Sequence, residues 1–155
     1  MSTKAEPDAE ESFSLASARA AAAAGETARW VGDYLASRGS DNATLAAGLA
    51  ARPHQWFGPL RVPLDQLVRL AGPEPDAKCR IDPAEWAHDV EAMESSLTQG
   101  WTAPPLLAEL RDGQLLLQDG NHRYEALVRA GEQHTWVIVW CDDDNASQEL
   151  RSALA

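Results

Sequence analysis

An α+β chain is expected: a small mixed sheet with packed helices, preceded by an N-terminal helical hairpin. Three features predict it. The apolar run Leu115-Leu116-Leu117 leads through Asp119-Gly120 into a helical pattern from Tyr124 to Ala130 that stops at Gly131. Asp112-Gly113 lies between Leu106–Leu110 and Gln114–Gln118, and this dipeptide between apolar runs signals a two-residue hairpin. Thr135 to Cys141 is dense in β-branched and aromatic residues, as a buried strand requires.

The elements follow in order. Residues 1–12 form a polar, acidic tail of the composition that stays disordered. Residues 13–52 read as a helical extension. Ser12 to Ala24 is helical by alanine content, but it lacks a strong apolar stripe and is expected to lie exposed or loosely docked. Trp30, Val31, Tyr34 and Leu35 define one face of a helix from Glu26 to Ser37, with Gly39 placed as its C-terminal glycine. Asp41 is placed to cap a second helix through Leu45, Leu49 and Ala50, which Arg52-Pro53 ends. The pair reads as an appendage packed on the main domain, or else as an arm for a protein partner.

Residues 53–143 carry the main domain. Pro53 to Pro59 reads as a connector whose Trp56 and Phe57 anchor into the core. Leu60, Val62 and Leu64 alternate as in a short strand, and Pro63 restricts it to an edge. Asp65 is placed to cap a helical turn through Leu67, Val68 and Leu70, and Gly72 to Lys78 reads as a loop. Asp82, Pro83 and Glu85 mark a helix start, Trp86, Val90, Met93 and Leu97 recur at helical spacing, and Gly100 ends the helix. Trp101 to Pro105 links it to the hairpin. Residues 144–155 are a short C-terminal tail.

The chemistry concentrates at Asp119-Gly120-Asn121-His122-Arg123. The first N–H groups of a helix lack internal partners and carry partial positive charge, so an anion is favoured there. Arg123 adds a forked cation suited to phosphate, His122 a titratable donor, and Gly120 a close backbone approach. The same residues also make ordinary turn chemistry, with Asn121 as a good N-cap.

The stretch "LLLQDGNHRYEALVRAG" resembles the signature of the ParB/sulfiredoxin-like superfamily, in which a Gly-x-x-Arg or Gly-x-His-Arg turn opens a helix and holds nucleotide phosphates. The resemblance covers roughly residues 60–141. It implies a nucleotide or phosphorylated small molecule bound by Gly120, Asn121, His122 and Arg123, with ATP, ADP or CTP and Mg²⁺ as the candidate cofactors. Sulfiredoxins place their catalytic Cys where this chain has Asn121, and a carboxamide cannot be a thiolate nucleophile. They also place a Lys and hydroxyls on the preceding helix for the ATP phosphates. Asp89 and Ala92 fall near the Lys position, and Ser96 or its neighbour Ser95 is the hydroxyl candidate. Partition-type ParB proteins add a basic helix-turn-helix segment that has no counterpart in this sequence. Small-molecule kinases of the superfamily imply Asp119 as the catalytic carboxylate, with Glu125 and Asp65 behind it. The expectation is a phosphate-binding domain with phosphotransferase or nucleotidase activity open; the alternative is a non-catalytic protein-interaction module that keeps the fold.

Composition narrows the partners. The net charge is −11 and the pI about 4.6, which argues against nucleic acid, because that affinity comes from neutralising phosphates with Lys and Arg. No apolar run approaches the roughly 20 residues of a membrane span, and a cytoplasmic protein is expected. Cys79 and Cys141 match no metal spacing and read as reduced thiols.

Overall fold

The computed structural model describes residues 13–37 and 42–154. Three helices come first: α1 (Leu15–Ala23), α2 (Thr27–Leu35) and α3 (Ala43–Ala50). Strand β1 (Gln55–Pro63), a 3₁₀ turn (Leu64–Gln66) and the short strands β2 (Leu67–Arg69), β3 (Ala71–Gly72) and β4 (Cys79–Arg80) follow. Then come α4 (Pro83–Thr98), β5 (Leu106–Arg111), β6 (Gln114–Asp119), α5 (Asn121–Arg129), β7 (His134–Cys141) and α6 (Asp144–Leu154). The fold is α+β. The main sheet has the order β1-β7-β5-β6-β2, mixed in direction: β1/β7 and β5/β6 are antiparallel, β5/β7 and β2/β6 parallel.

Alternation along the central strands divides the core between the two faces of the sheet. Leu106 and Ala108 of β5 and Val137 and Val139 of β7 join Leu117 and Leu127 on one side. Leu107, Ile138 and Trp140 point the other way, against Ala18, Trp30, Val31, Tyr34 and Leu35 of the N-terminal helices. Helices α4 and α5 meet through Trp86, Val90 and Ala126.

The hairpin forms as expected, with Asp112 (φ 52°) and Gly113 (φ 75°) both left-handed, as a primed two-residue turn requires. Asp82 caps α4 by accepting from the N–H groups of Ala84 and Glu85. Elsewhere the chain departs from expectation. The connector proposed for residues 53–59 is largely strand: β1 begins at Gln55 and absorbs Gly58-Pro59 in a register shift between Phe57 and Leu60. It is nevertheless an edge strand, and Trp56 and Phe57 do pack on the core. Asp65 caps no α-helix, because Leu67–Arg69 gains more by pairing in parallel with β6. The Gly72–Lys78 loop is flanked by the β3/β4 pairing.

Helix α1 is docked, not loose. Ala18 is 1% exposed, the Trp30 Nε1–H donates to Ser17 Oγ at 2.9 Å, and the Arg19 guanidinium lies 4.6 Å above the Trp136 ring. A small residue at the contact replaces the missing apolar stripe by letting backbones approach. Helix α3 is capped by Asn42, whose Oδ1 accepts from Leu45 N. The expected cap Asp41, the helix-ending Gly39 and the acidic tail 1–12 lie outside the described residues. No helix among the described residues is long and apolar enough to cross a membrane.

Candidate functional site

Strand β6 delivers the chain to Gly120, which adopts φ +99° and is the N-cap of α5. A Cβ added there would lie 2.5 Å from Leu106 Cδ2 and 3.0 Å from Arg123 Nη2, so only glycine fits the turn. The turn forms one wall of an open cleft of about 400 Å³. Asn42, Leu70, Ala71, Lys78, Cys79, Leu117, Gln118, Asp119, Asn121 and His122 complete its lining. Leu70, Ala71 and Lys78 also line a neighbouring cleft of about 640 Å³, walled further by Arg69, Glu74, Arg111 and Gln114.

The residues of the turn divide into those that hold it together and those that face the cleft. Asn121 is not the cap; it is the first helical residue, 9% exposed, and its amide makes three hydrogen bonds. Oδ1 accepts from Leu70 N (2.8 Å) and Ala71 N (3.1 Å), and Nδ2 donates to Leu117 O (3.2 Å). These bonds fix β3, which pairs in parallel with β4, so Asn121 positions the strand carrying Cys79 and its neighbour Lys78.

Arg123 is buried behind the turn, at 5% exposure. Its Nη1 donates to Pro104 O (2.7 Å) and Pro105 O (3.4 Å), and its Nη2 to Asp119 Oδ2 (2.9 Å). The other Asp119 oxygen accepts from Asn42 Nδ2 at 3.3 Å. The Tyr34 ring lies 5.8 Å from the Arg123 guanidinium. Burial raises the Tyr34 pKa above its usual 10.0, partly opposed by Arg123 and supported by Asp119. The N-terminal helices are thereby wired into the motif.

His122 faces the cleft but keeps Nε2 inside, where it finds no hydrogen-bond partner among the described residues. The ring leans on Trp86 with centroids 4.5 Å apart, and Asp89 Oδ2 lies 3.9 Å from Nε2. The Arg69 guanidinium lies 4.8 Å from the centroid of the Trp86 ring and is ion-paired to Glu74 and Glu125. Burial lowers the His122 pKa below its ordinary 6.5, with Asp89 pulling the other way. The folded state therefore resists the proton that the unfolded chain accepts. Stability is expected to rise with pH through the interval just below 6.5 and to level off above it. Urea midpoints between pH 5 and 7.5 should show this slope in the wild type, and it should shrink in His122→Gln.

The remaining sequence candidates lie apart. Ser96 is exposed near the end of α4 and does not line the cleft. Glu125 bonds Arg69 and Arg129, and Asp65 sits exposed on the 3₁₀ turn. Lys78 and Cys79 line the cleft, a placement that no motif in the sequence announces. Lys78 makes no ion pair among the described residues, and Cys79 is an exposed free thiol. Their only early signal was a lysine, one of two in an acidic chain, inside the proline-rich loop.

Each carboxylate oxygen of Asp119 accepts a hydrogen bond, one from Asn42 and the other from Arg123. No group of three or more His, Cys, Asp and Glu among the described residues is placed to hold a metal.

No family model and no curated protein matches the chain. Solved structures similar to it are sulfiredoxin and ParB domains, the two kinds of protein the turn motif resembles. Sulfiredoxin from Arabidopsis thaliana is 22% identical, with a TM-score of 0.43 over 62% of this chain and 96% of that one. The C-terminally truncated chromosome-partitioning protein ParB from Caulobacter crescentus, complexed with CTP-γ-S, is 26% identical, with a TM-score of 0.42 over 59% of this chain. A Pnob8-like ParB-N domain is 17% identical, with a TM-score of 0.38 over 62% of this chain. The aligned part spans about half of that ParB structure (48%) and about a third of the ParB-N structure (32%).

Proposed function

We propose that the cleft at the start of α5 binds the phosphate end of a small molecule of the nucleotide class. One observation carries this reading: a helix N-terminus capped by a side-chain-free, left-handed Gly120 meets Lys78, a cation with no acidic partner among the described residues, across a cleft of about 400 Å³. Backbone N–H groups at a helix start and an ammonium opposite them suit a phosphate, which carries more charge than a carboxylate. The adjoining cleft past Lys78 gives the rest of the ligand room. Binding is favoured over phosphoryl transfer, because the carboxylate best placed to act as base, Asp119, is held by Arg123 and Asn42.

Thermal unfolding against ATP, ADP, CTP, GTP and pyrophosphate tests it. A ligand at about 100 times its dissociation constant stabilises the native state by roughly 2.7 kcal/mol. Lys78→Ala is expected to weaken that ligand by about tenfold, the equivalent of one charge-assisted contact, while leaving the unliganded melting temperature unchanged. A cooperative melt that none of these compounds moves would overturn the reading.

A further inference from the structure

The carboxylate of Asp119 lies between the cleft and Arg123. Asp119 is one of the residues lining the cleft, and Arg123, which its carboxylate binds, is not among them. Arg123 is held from two sides: Nη1 is tied to the carbonyl groups of Pro104 and Pro105, and only Nη2 is bound by Asp119. If Asp119 left, the guanidinium would stay in place with one donor edge freed. Asp119 is the last residue of β6 and precedes the left-handed Gly120, so its side chain sits at the point where the backbone changes direction. Its second oxygen is held by Asn42, the N-cap of α3, which also lines the cleft.

We propose that Asp119 is a built-in competitor for Arg123, occupying the edge of the guanidinium that an anion in the cleft would take, and that Asn42 is the latch holding it there. This rests on the reading of the cleft as a phosphate site, and it sharpens the ligand class. A singly charged carboxylate gains nothing by exchanging with Asp119, which is already tethered. A phosphate dianion or a polyphosphate brings more charge to the same donor. The cleft therefore admits polyphosphate ends and rejects simple carboxylates, and the N-terminal helices, through Asn42, set how readily Arg123 becomes available.

The test is calorimetric titration of the full chain with inorganic pyrophosphate, with and without excess acetate, for the wild type, Asp119→Asn and Asn42→Ser. Serine keeps an N-cap for α3 but lacks the amide donor. Expected results are a pyrophosphate affinity raised about tenfold in Asp119→Asn and raised in the same direction in Asn42→Ser, the increment of one charge-assisted hydrogen bond being of that order. Acetate should compete in Asp119→Asn and not in the wild type. If Asp119→Asn does not fold, Asn42→Ser, which keeps the Asp119–Arg123 pair, decides alone. Tightening in Asp119→Asn with none in Asn42→Ser would mean simple charge repulsion and would overturn the latch. Wild-type binding that neither variant changes would overturn the latch and leave the phosphate reading standing. No pyrophosphate binding by any of the three proteins would overturn both.

Discussion

Arg123→Ala is expected to destabilise the fold by about 3–5 kcal/mol with no ligand present, read as a fall in the urea midpoint without loss of cooperativity. The side chains of Arg123 and Asp119 are only 7% and 11% exposed, and removing one member of a buried pair leaves the other charge unsatisfied. The loss also strips donors from Pro104 O and Pro105 O, which tie the segment entering β5 to the start of α5. Arg52–Asp142 is a useful contrast. Its arginine is 68% exposed, and removing it should cost no more than about 1 kcal/mol. An Arg123→Ala protein as stable as the wild type would show that the guanidinium does not brace the turn. The same argument changes how ligand loss in this variant is read. Weakened phosphate binding would report on a disturbed turn as much as on a lost contact, so Lys78 is the better probe of the cleft.

How far the sequence discloses this site depends on whether the interactions are local. Asp112-Gly113, Gly120 and the Asp82–Glu85 helix start could be read because each requirement is met within a few residues. The start of β1 could not. Gly58-Pro59 looks like a chain break, and only pairing with β7, some eighty positions away, makes Gln55–Phe57 a strand. Asn121 illustrates a subtler failure. Its residue type suits an N-cap, but the partners it takes are Leu70 and Ala71, about fifty residues upstream, and no local pattern announces them. Arg123, at a helix start, reads locally as a cation suited to phosphate. Nothing local shows that Asp119, four residues before it, already claims it. The place of Lys78 and Cys79 in the cleft is hidden for the same reason, since they reach it through a two-residue parallel pairing.

Asn121→Ala is expected to cost about 3 kcal/mol and to weaken the ligand as well, and the two losses have one cause. The amide satisfies two half-buried N–H groups and one buried carbonyl. Leaving such groups unpaired costs roughly 1–3 kcal/mol each before relaxation. Relaxation here means that Leu70 and Ala71 move toward water, taking β3 with them, and β4 with its neighbour Lys78 follows. Asn121→Leu separates the lost hydrogen bonds from the lost volume. It fills the space but accepts nothing, so it should be as unstable as the alanine variant; recovery of wild-type stability would show that packing, not hydrogen bonding, holds the wall. Asn121→Cys should fall with these two, because a thiol cannot replace an amide oxygen accepting from Leu70 and Ala71. Each of the three substitutions would thus dismantle the cleft wall, and urea denaturation of the three variants beside the wild type measures it.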